Sequence, residues 1–497
     1  MTSTVPQLDG FDADRRNEAD PNPRVEIDAI DVRLPCRSFR VSYKVAEPGN
    51  LSLTTEFLLR LLRAADGLTE EAIGEFFAFT DDETRFAIDH AYTFGYVERV
   101  NGRVYLTDGG HNLFSVGSDE PALFEVQNRR DRFDFDLIAF APADPWKQLS
   151  SFEFGLPELG IASAEAVGTA SARIVQAFTR HFHEFRPRRA GGRTERQSLY
   201  TVDSVEVEKR FATLVPVKVS VRPENPASPE ADLLSWKTGF ELDDRSAVLQ
   251  SCANLVRNVR VTEESVGREA ASRLLRCAPE QVSRFMRDGE LDWGSFFRST
   301  IRQAGKLQSD RATVRVVGRV WVDANSARLK VAAEYAAKRV GKRPSMILWL
   351  KPSVPLWGMT TRLPDLIAAL RASFPVADES EPERIQAVIV GDDLPKCFQN
   401  IFSAAVKVPR RSLPPGLEVL LVPGRLAFVL AHSPIGVSDG YPVPMGIATF
   451  DPVVVERVHQ LLTEALSVLG VAPEYCEGDT KNLLEEIDAA LDSPNDQ

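Results

Sequence analysis

The stretch SMILWLK, residues 345–351, contains five consecutive apolar residues, and similar runs follow in IQAVIVGDD at 385–393 and LEVLLVP at 417–423. Strands that are buried on both faces have such continuous runs, whereas half-buried strands alternate apolar and polar residues. Helical patterns lie between the runs. Residues 311–470 therefore predict an α/β layered domain.

The polar residues near the ends of these strands are the first candidates for a site, because α/β sites lie at the carboxyl ends of strands. They are Asp392, Asp393, His432, Asp439 and Asp451. No glycine-rich dinucleotide motif, P-loop or nucleophile elbow accompanies them. A strand-end turn explains the adjacent aspartates better than a metal site, and a structural role explains the histidine better than catalysis. We expect no catalytic residue, metal ligand or cofactor; an enzyme acting through this domain remains an alternative.

The strand order of this region and its ending, MGIATFDP followed by a helix, loosely resemble half of a phospholipase-D-type domain. That family requires a His-x-Lys pair and a Gly-Ser-x-Asn element. Here the corresponding strand reads PGRLAFVLAHSP, without His-x-Lys, and MGIATF lacks the serine and asparagine. The resemblance therefore implies a fold without the family's chemistry.

Residues 52–116 have the clearest local pattern outside this domain. TTEFLLRLLRAA, LTEEAIGEFF and TDDETRFAIDHAYTFG predict three helices. YVERVNGRVYLT predicts a β-hairpin, because Asn101-Gly102 favours a two-residue type I′ turn. Three helices and a hairpin resemble the winged helix-turn-helix superfamily. The apolar residues that carry this resemblance are Leu58, Leu61, Leu62, Ile73, Phe77, Phe86, Ile88 and Tyr92.

In DNA-binding members of the superfamily, the resemblance implies that the third helix lies in the major groove. Here the outward positions of that helix are Asp82, Glu83, Arg85, Asp89 and His90, so phosphates would meet mostly carboxylates. On the wing, Arg99 and Arg103 are the residues that favour DNA. Protein docking is therefore the preferred use of this module, and DNA contact is the alternative.

REAASRLLRCAPEQVSRFMRDGELDW, residues 268–293, resembles the helix-turn-helix of the excisionase and MerR-like group. The matching residues, in order, are Glu269-Ala270-Ala271, Leu274-Leu275, Ala278-Pro279, Val282, Phe285-Met286 and Gly289-Glu290-Leu291. The turn is one residue longer than in that group. The second helix is expected to run from Pro279 to a C-cap at Gly289. Its outward Gln281, Arg284 and Arg287 are candidate DNA contacts, although a helical hairpin inside a larger domain has the same spacing.

A further candidate is the basic loop RPRRAGGRTER, which follows a long amphipathic helix. Arginine offers a planar fork that matches phosphate oxygens, so the loop is either a phosphate contact or a solvated loop. Its arginines are Arg186, Arg188, Arg189, Arg193 and Arg196.

The length of 497 residues exceeds one ordinary core, so the chain is expected to have several domains. Together with the alternating strand and helix patterns, this predicts an α/β multi-domain protein. Five dispersed cysteines, without a C-x-x-C pair or a secretory signal, predict reduced thiols and a cytoplasmic location. No apolar run is long enough to span a membrane. The expected segments are a disordered leader (1–25), the winged helix with preceding strands (26–118), an α+β linker region with the long helix and basic loop (119–235), a helical region with the hairpin (236–310), the α/β domain (311–470) and an acidic tail (471–497).

The net charge of −12 argues against a protein whose whole surface binds polyanions, although a local basic patch can still bind nucleic acid. We therefore expect a non-enzymatic, DNA-associated protein, either a regulator or a component of a DNA-targeting or defence assembly. A scaffold subunit that docks a protein partner through the winged helix is the main alternative.

Overall fold

The computed structural model describes residues 24–48, 53–114, 121, 124–161, 170–185, 198–238, 245–303, 305–340, 343–375, 384–409, 413–467, 470–476 and 482–492. It shows a mixed α/β protein with several sheets, as the sequence predicts. None of the helices in these ranges combines the length and hydropathy that crossing a bilayer requires.

The strands are β1 (Val25–Pro48), β2 (Leu68–Thr69), β3 (Val97–Val100), β4 (Arg103–Leu106), β5 (Phe124–Asp136), β6 (Ser198–Arg222), β7 (Asn225–Asp232), β8 (Val261–Thr262), β9 (Met286–Arg287), β10 (Glu290–Leu291), β11 (Thr313–Val317), β12 (Met346–Leu350), β13 (Gln386–Gly391), β14 (Ala404–Lys407), β15 (Leu417–Val422), β16 (Leu426–Ser433), β17 (Asp439–Gly440), β18 (Val443–Thr449) and β19 (Ala472–Cys476).

The helices are α1 (Leu53–Ala64), α2 (Glu70–Phe77), α3 (Asp81–Thr93), α4 (Asp108–His111), α5 (Ser151–Phe154), α6 (Ala170–His181), α7 (Arg245–Asn258), α8 (Glu263–Cys277), α9 (Pro279–Val282), α10 (Trp293–Arg302), α11 (Asp323–Arg339), α12 (Arg362–Ala372), α13 (Pro452–Leu466) and α14 (Leu483–Asp492). Two 3-10 helices cover Ser283–Phe285 and Lys396–Asn400.

The chain divides into two compact units. Unit 1 contains the described residues of Met1–Cys36, Ala143–Ala162 and Phe211–Gln497, and unit 2 those of Arg37–Pro142 and Ser163–Arg210. The six segments expected from the sequence stay a prediction.

Unit 1 is built on an eight-stranded sheet of order β11-β18-β16-β15-β12-β13-β14-β19. Every residue of β12, β15, β16 and β18 is buried, so this part of the sheet is covered on both faces. The continuous apolar runs predicted this burial. On one face, α11 and α12 pack over a cluster that includes Trp349, Phe428 and Leu420. The helices α8 and α13 pack against β15 and β16 and against each other.

Unit 2 contains α1, α2 and α3 around a three-stranded sheet of order β2-β4-β3. Thr80 and Glu83 form a capping box at the start of α3. Asn101 and Gly102 both have positive φ, 51° and 74°, as the type I′ turn between β3 and β4 requires. The helices and hairpin expected over residues 52–116 are present; membership of the winged-helix superfamily stays a prediction.

Two of the apolar residues that carry the winged-helix resemblance lie on the surface of unit 2. Phe86 is 71% exposed and Tyr92 is 55% exposed. The buried side of α3 consists of Thr84, Ala87, Ile88 and Ala91, whose spacing of three to four residues forms one helical face. Phe86 therefore lies on a different face of the helix.

The second helix expected within residues 268–293 is much shorter than the sequence predicts. It comprises the single turn of α9 and the 3-10 turn Ser283–Phe285, after which β9 and β10 form a hairpin. Asp288 and Gly289 have φ of 51° and 83°, so Gly289 completes a type I′ hairpin turn instead of capping a helix. The Asp-Gly dipeptide, a strong hairpin signal, outweighs the helical spacing here.

A fully buried ionic network lies in the core of unit 1, centred on Arg319. The Arg319 Nε donates to Asp28 Oδ2 at 3.0 Å, and its Nη1 lies 3.7 Å from Glu418 Oε2. Tyr441 and Trp321 also donate to Asp28, at 2.9 and 3.1 Å. The network therefore joins β1, β15 and the segment after β11.

Local backbone geometry brings Arg319 to this position. Gly318 has a φ of +92°, and a Cβ there would lie 3.0 Å from the Glu26 carbonyl oxygen. The Arg319 amide then donates to the Ile27 carbonyl at 2.9 Å. Glycine is needed at this turn because a side chain would be strained and would also meet β1.

We expect Arg319→Met to reduce the free energy of unfolding of unit 1 by about 3–5 kcal/mol, because it leaves two buried carboxylates without their cation. Urea denaturation followed by tryptophan fluorescence measures this unit selectively, since it contains all six tryptophans. Arg257→Ala removes an exposed arginine of α7 and should change stability by no more than about 0.5 kcal/mol. Equal stability of the Arg319→Met and Arg257→Ala proteins would contradict the role of the network.

Candidate nucleic-acid interface

A groove in unit 1 combines four arginines with two glutamines. It has a volume of about 590 Å³ and runs between the α9 turn, the end of α10 and the start of β11. We call it the arginine groove and define it by Gln281, Arg284, Arg302, Gln303, Arg311 and Arg315.

Three separate local structures position these side chains. Asp292 caps α10 by accepting from the Ser295 amide at 2.9 Å, and this helix ends at Arg302. In β11, Val314 and Val316 point into the core, so Arg315 projects from the other side of the strand. Among the described residues that strand is an edge of the large sheet, and the groove lies beside its first residues. Arg311 lies in a tight turn that Gln308 closes with two backbone hydrogen bonds.

An aromatic ring orients two of the guanidinium groups. The Arg284 and Arg315 guanidinium carbons lie 4.7 and 5.1 Å from the centroid of the buried Phe285 ring. Both side chains also donate to Gln303 Oε1, at 3.4 and 2.9 Å. Stacking on the ring and the shared acceptor hold two like charges side by side.

The arginines of the groove lack the ion pairs that neighbouring arginines make with carboxylates among the described residues. Among the described residues, none of the four makes an ion pair, and the buried Nε of Arg315 has no hydrogen-bond acceptor. Nearby in unit 1, Arg273 and Arg276 both bind Glu464, at 3.1 and 2.7 Å. The groove therefore carries a local excess of positive charge in a protein whose net charge is −12.

The carboxylate that lines the groove is already engaged. Glu280 Oε1 lies 3.1 Å from Arg457 Nη1, a residue of α13 that does not line the groove. The negative charge of Glu280 is thus directed to an arginine outside the groove.

Two of the DNA contacts expected from residues 268–293 are in this groove, and one is not. Gln281 and Arg284 line it. Arg287 instead pairs with Asp292 at 3.3 Å, because the β9–β10 hairpin turns it toward the start of α10. The apolar side of the segment, including Ala270, Ala271, Leu274 and Val282, is buried in unit 1.

The wing arginines of unit 2 are committed to contacts within that unit. Arg99 lies 2.7 Å from both Glu70 and Asp89, and Arg103 donates to the Gly67 carbonyl at 2.7 Å. The arginines of the basic loop, Arg186, Arg188, Arg189, Arg193 and Arg196, lie outside the described residues.

Sequence reasoning missed Arg302, Arg311 and Arg315. Their signal was weak: the alternation in RATVRVV, residues 311–317, indicated an outward Arg315 on a strand. Nothing in the sequence places it near Arg284, which is thirty-one positions earlier in the chain.

Three of the four aspartates that the sequence offers as candidates in the α/β region have structural partners. Asp451 caps α13 through the Val453 and Val454 amides, and Asp439 pairs with Arg260 at 3.1 Å. Asp392 and Asp393 follow β13, and Asp392 accepts from Ser353 Oγ at 2.8 Å. Among the described residues, no group of three or more His, Cys, Asp or Glu side chains is placed to hold a metal ion.

His432 is fully buried in the Arg319 network. Because a guanidinium can only donate, the His432 Nδ1 accepts from Arg319 Nη1 at 3.1 Å, and the proton on Nε2 is donated to Glu418 at 2.8 Å. Burial and the Arg319 charge lower the pKa of His432 to about 4. Burial disfavours ionisation of Glu418, but the His432 hydrogen bond and the charges around it outweigh burial and lower its pKa. The histidine is thus neutral and the carboxylate ionised.

Comparison with known proteins gives no match: no family model fits the chain, and no curated protein or solved structure matches it.

We expect the neutral His432 to make unit 1 lose stability as the pH falls from about 6.5 to about 4. Over this range the unfolded chain binds a proton at position 432 and the folded chain does not, so acid favours unfolding, by up to about 3 kcal/mol. Urea denaturation at several pH values measures the slope. In His432→Gln the slope should be shallower, whatever the absolute stability; an unchanged slope would show that His432 does not cause it.

Proposed function

We propose that this protein is a non-enzymatic, DNA-associated protein that binds the phosphate backbone of duplex DNA in the arginine groove. The observation that carries the proposal is the set of four arginines without a carboxylate partner among the described residues. Guanidinium groups bind phosphate oxygens through paired hydrogen bonds, and phosphate contacts supply most of the non-specific affinity for DNA.

The pairing pattern supports binding at this groove over binding at the wing. An arginine that already holds a carboxylate must give up that contact before it binds a phosphate, which reduces the net gain. Arg99, with Glu70 and Asp89 beside it, has this disadvantage. Arg302 and Arg311 are exposed and have no such partner among the described residues, so their charges are available to a phosphate.

Gln281 adds a means of distinguishing bases. Glutamine pairs with the major-groove edge of adenine, and arginine pairs with that of guanine. Gln281 lies one helical turn before Arg284, on the same side of the short helical segment. Phosphate binding is nevertheless the primary contribution to affinity in this proposal, because the α9 segment is too short to enter a major groove along several base pairs.

The proposal predicts a salt-dependent affinity for a duplex of arbitrary sequence. For four phosphate contacts, the logarithm of the association constant should fall against the logarithm of salt concentration with a slope of about −3.6. Fluorescence anisotropy of a labelled duplex between about 50 and 200 mM salt measures it. The double variant Arg302→Ala/Arg311→Ala should weaken binding and reduce the size of the slope by about 1.8, and adding Arg284→Ala should reduce it further.

The matched control is Arg273→Ala/Arg276→Ala, which also removes two positive charges from unit 1. These arginines face Glu464, so the control should leave the slope nearly unchanged. Equal losses in both double variants would mean that overall charge, and not the groove, governs binding. Absence of duplex binding at low salt would overturn the proposal itself.

A further inference from the structure

A second cavity in unit 1, of about 600 Å³, opens where β12 and β13 end. Lys351 follows β12 and Asp392 follows β13, and both line the cavity. The rest of the wall contains apolar residues, with Val266 of α8 and Leu417 of β15 among them, and two further charged residues, Arg260 and Glu269. Arg260 pairs with Asp439 at 3.1 Å and Glu269 with Arg273 at 3.7 Å, so both of these charges already have partners. This volume and this mixture of apolar and polar groups are typical of small-molecule sites.

The sheet places Lys351 and Asp392 at the carboxyl ends of two neighbouring strands. The strands β12 and β13 are parallel, with Leu350 opposite Val390, and the Lys351 amide donates to the Val390 carbonyl at 2.8 Å. Because parallel strands end together, the lysine and the aspartate are placed at neighbouring points on the cavity wall. Ligands of α/β proteins bind at this end of the strands.

Neither charge is neutralised by an ion pair among the described residues. The Lys351 ammonium has one hydrogen bond there, to the Pro352 carbonyl at 3.3 Å, although it can donate three. Burial lowers the pKa of Lys351, while Asp393 and Asp392 act in the opposite direction. Asp392 uses one carboxylate oxygen to accept from Ser353. A half-buried cation and an anion thus retain capacity for a ligand.

We propose that this cavity binds a small zwitterion of the α-amino-acid type, with its carboxylate on Lys351, its ammonium on Asp392 and an apolar side chain against the wall. A zwitterion satisfies both charges at once. A simple anion would meet the repulsion of Asp392, and a simple cation would meet that of Lys351. The apolar residues Val266, Leu350 and Leu417 favour a large aliphatic or aromatic side chain over a polar one.

The test is isothermal titration calorimetry of the full chain with L-phenylalanine and L-leucine. N-acetyl-L-phenylalanine lacks the ammonium and L-phenylalanine amide lacks the carboxylate, so each should bind at least about tenfold more weakly than L-phenylalanine. Lys351→Met and Asp392→Asn should each weaken binding of L-phenylalanine by about tenfold or more. Asparagine at 392 keeps an acceptor for Ser353, which separates loss of charge from loss of structure.

Lys396→Met is the matched control, because Lys396 is exposed and does not line the cavity. It should leave the affinity for L-phenylalanine unchanged. Three results would each overturn the inference: no heat of binding with either amino acid, equal binding of a capped analogue, or equal affinity in the Lys351→Met and Lys396→Met proteins. No DNA is present in these titrations, so their outcome is independent of the arginine groove.

Discussion

The requirement that a buried guanidinium be matched by carboxylates organises the core of unit 1. Arg319 is fully buried, and its charge is balanced by Asp28 from β1 and Glu418 from β15. Apolar packing tolerates small shifts of one strand against another, whereas a buried ion pair does not, because a misplaced charge has no water to solvate it. The network thus fixes how residues distant in the sequence meet, and the hydrophobic layers pack around that arrangement.

Burial on both faces of the sheet also restricts where this unit can carry chemistry. The residues of β12, β15, β16 and β18 are all buried, so a ligand can contact these strands only where they begin or end. Accessible polar groups occur instead at the edge strand and at the strand ends. The arginine groove lies beside β11, the edge strand, and the Lys351 cavity lies where β12 and β13 end. Both cavities therefore lie where the covered sheet leaves polar groups accessible.

Local patterns predicted the elements well and their partners poorly. The apolar run at 345–351 and the Asn101-Gly102 turn are local signals, and the structure contains the strand and the hairpin that they indicate. The predicted length of the second helix near 279–289 was wrong, because Asp288 and Gly289 form a hairpin turn. The roles of Arg319 and Arg315 were not predicted, because they depend on tertiary contacts with residues far along the chain. The sequence shows how many arginines the chain has, but the tertiary structure determines which of them pair with a carboxylate.

The pairing of arginines with carboxylates decides which residues of the stretch 268–293 are available to DNA and which serve only the packing of the domain. Its apolar side packs in the core of unit 1, as any helical hairpin of a larger domain does. Its polar side is divided: Arg276 and Arg287 are held by acids, whereas Arg284 stacks on Phe285 beside Arg315. Four of the five arginines in this stretch pair with carboxylates, so their number says little about polyanion binding: Arg268, Arg273, Arg276 and Arg287. Polyanion binding depends on the positive charge that remains unpaired in one place, and in this stretch that charge belongs to Arg284.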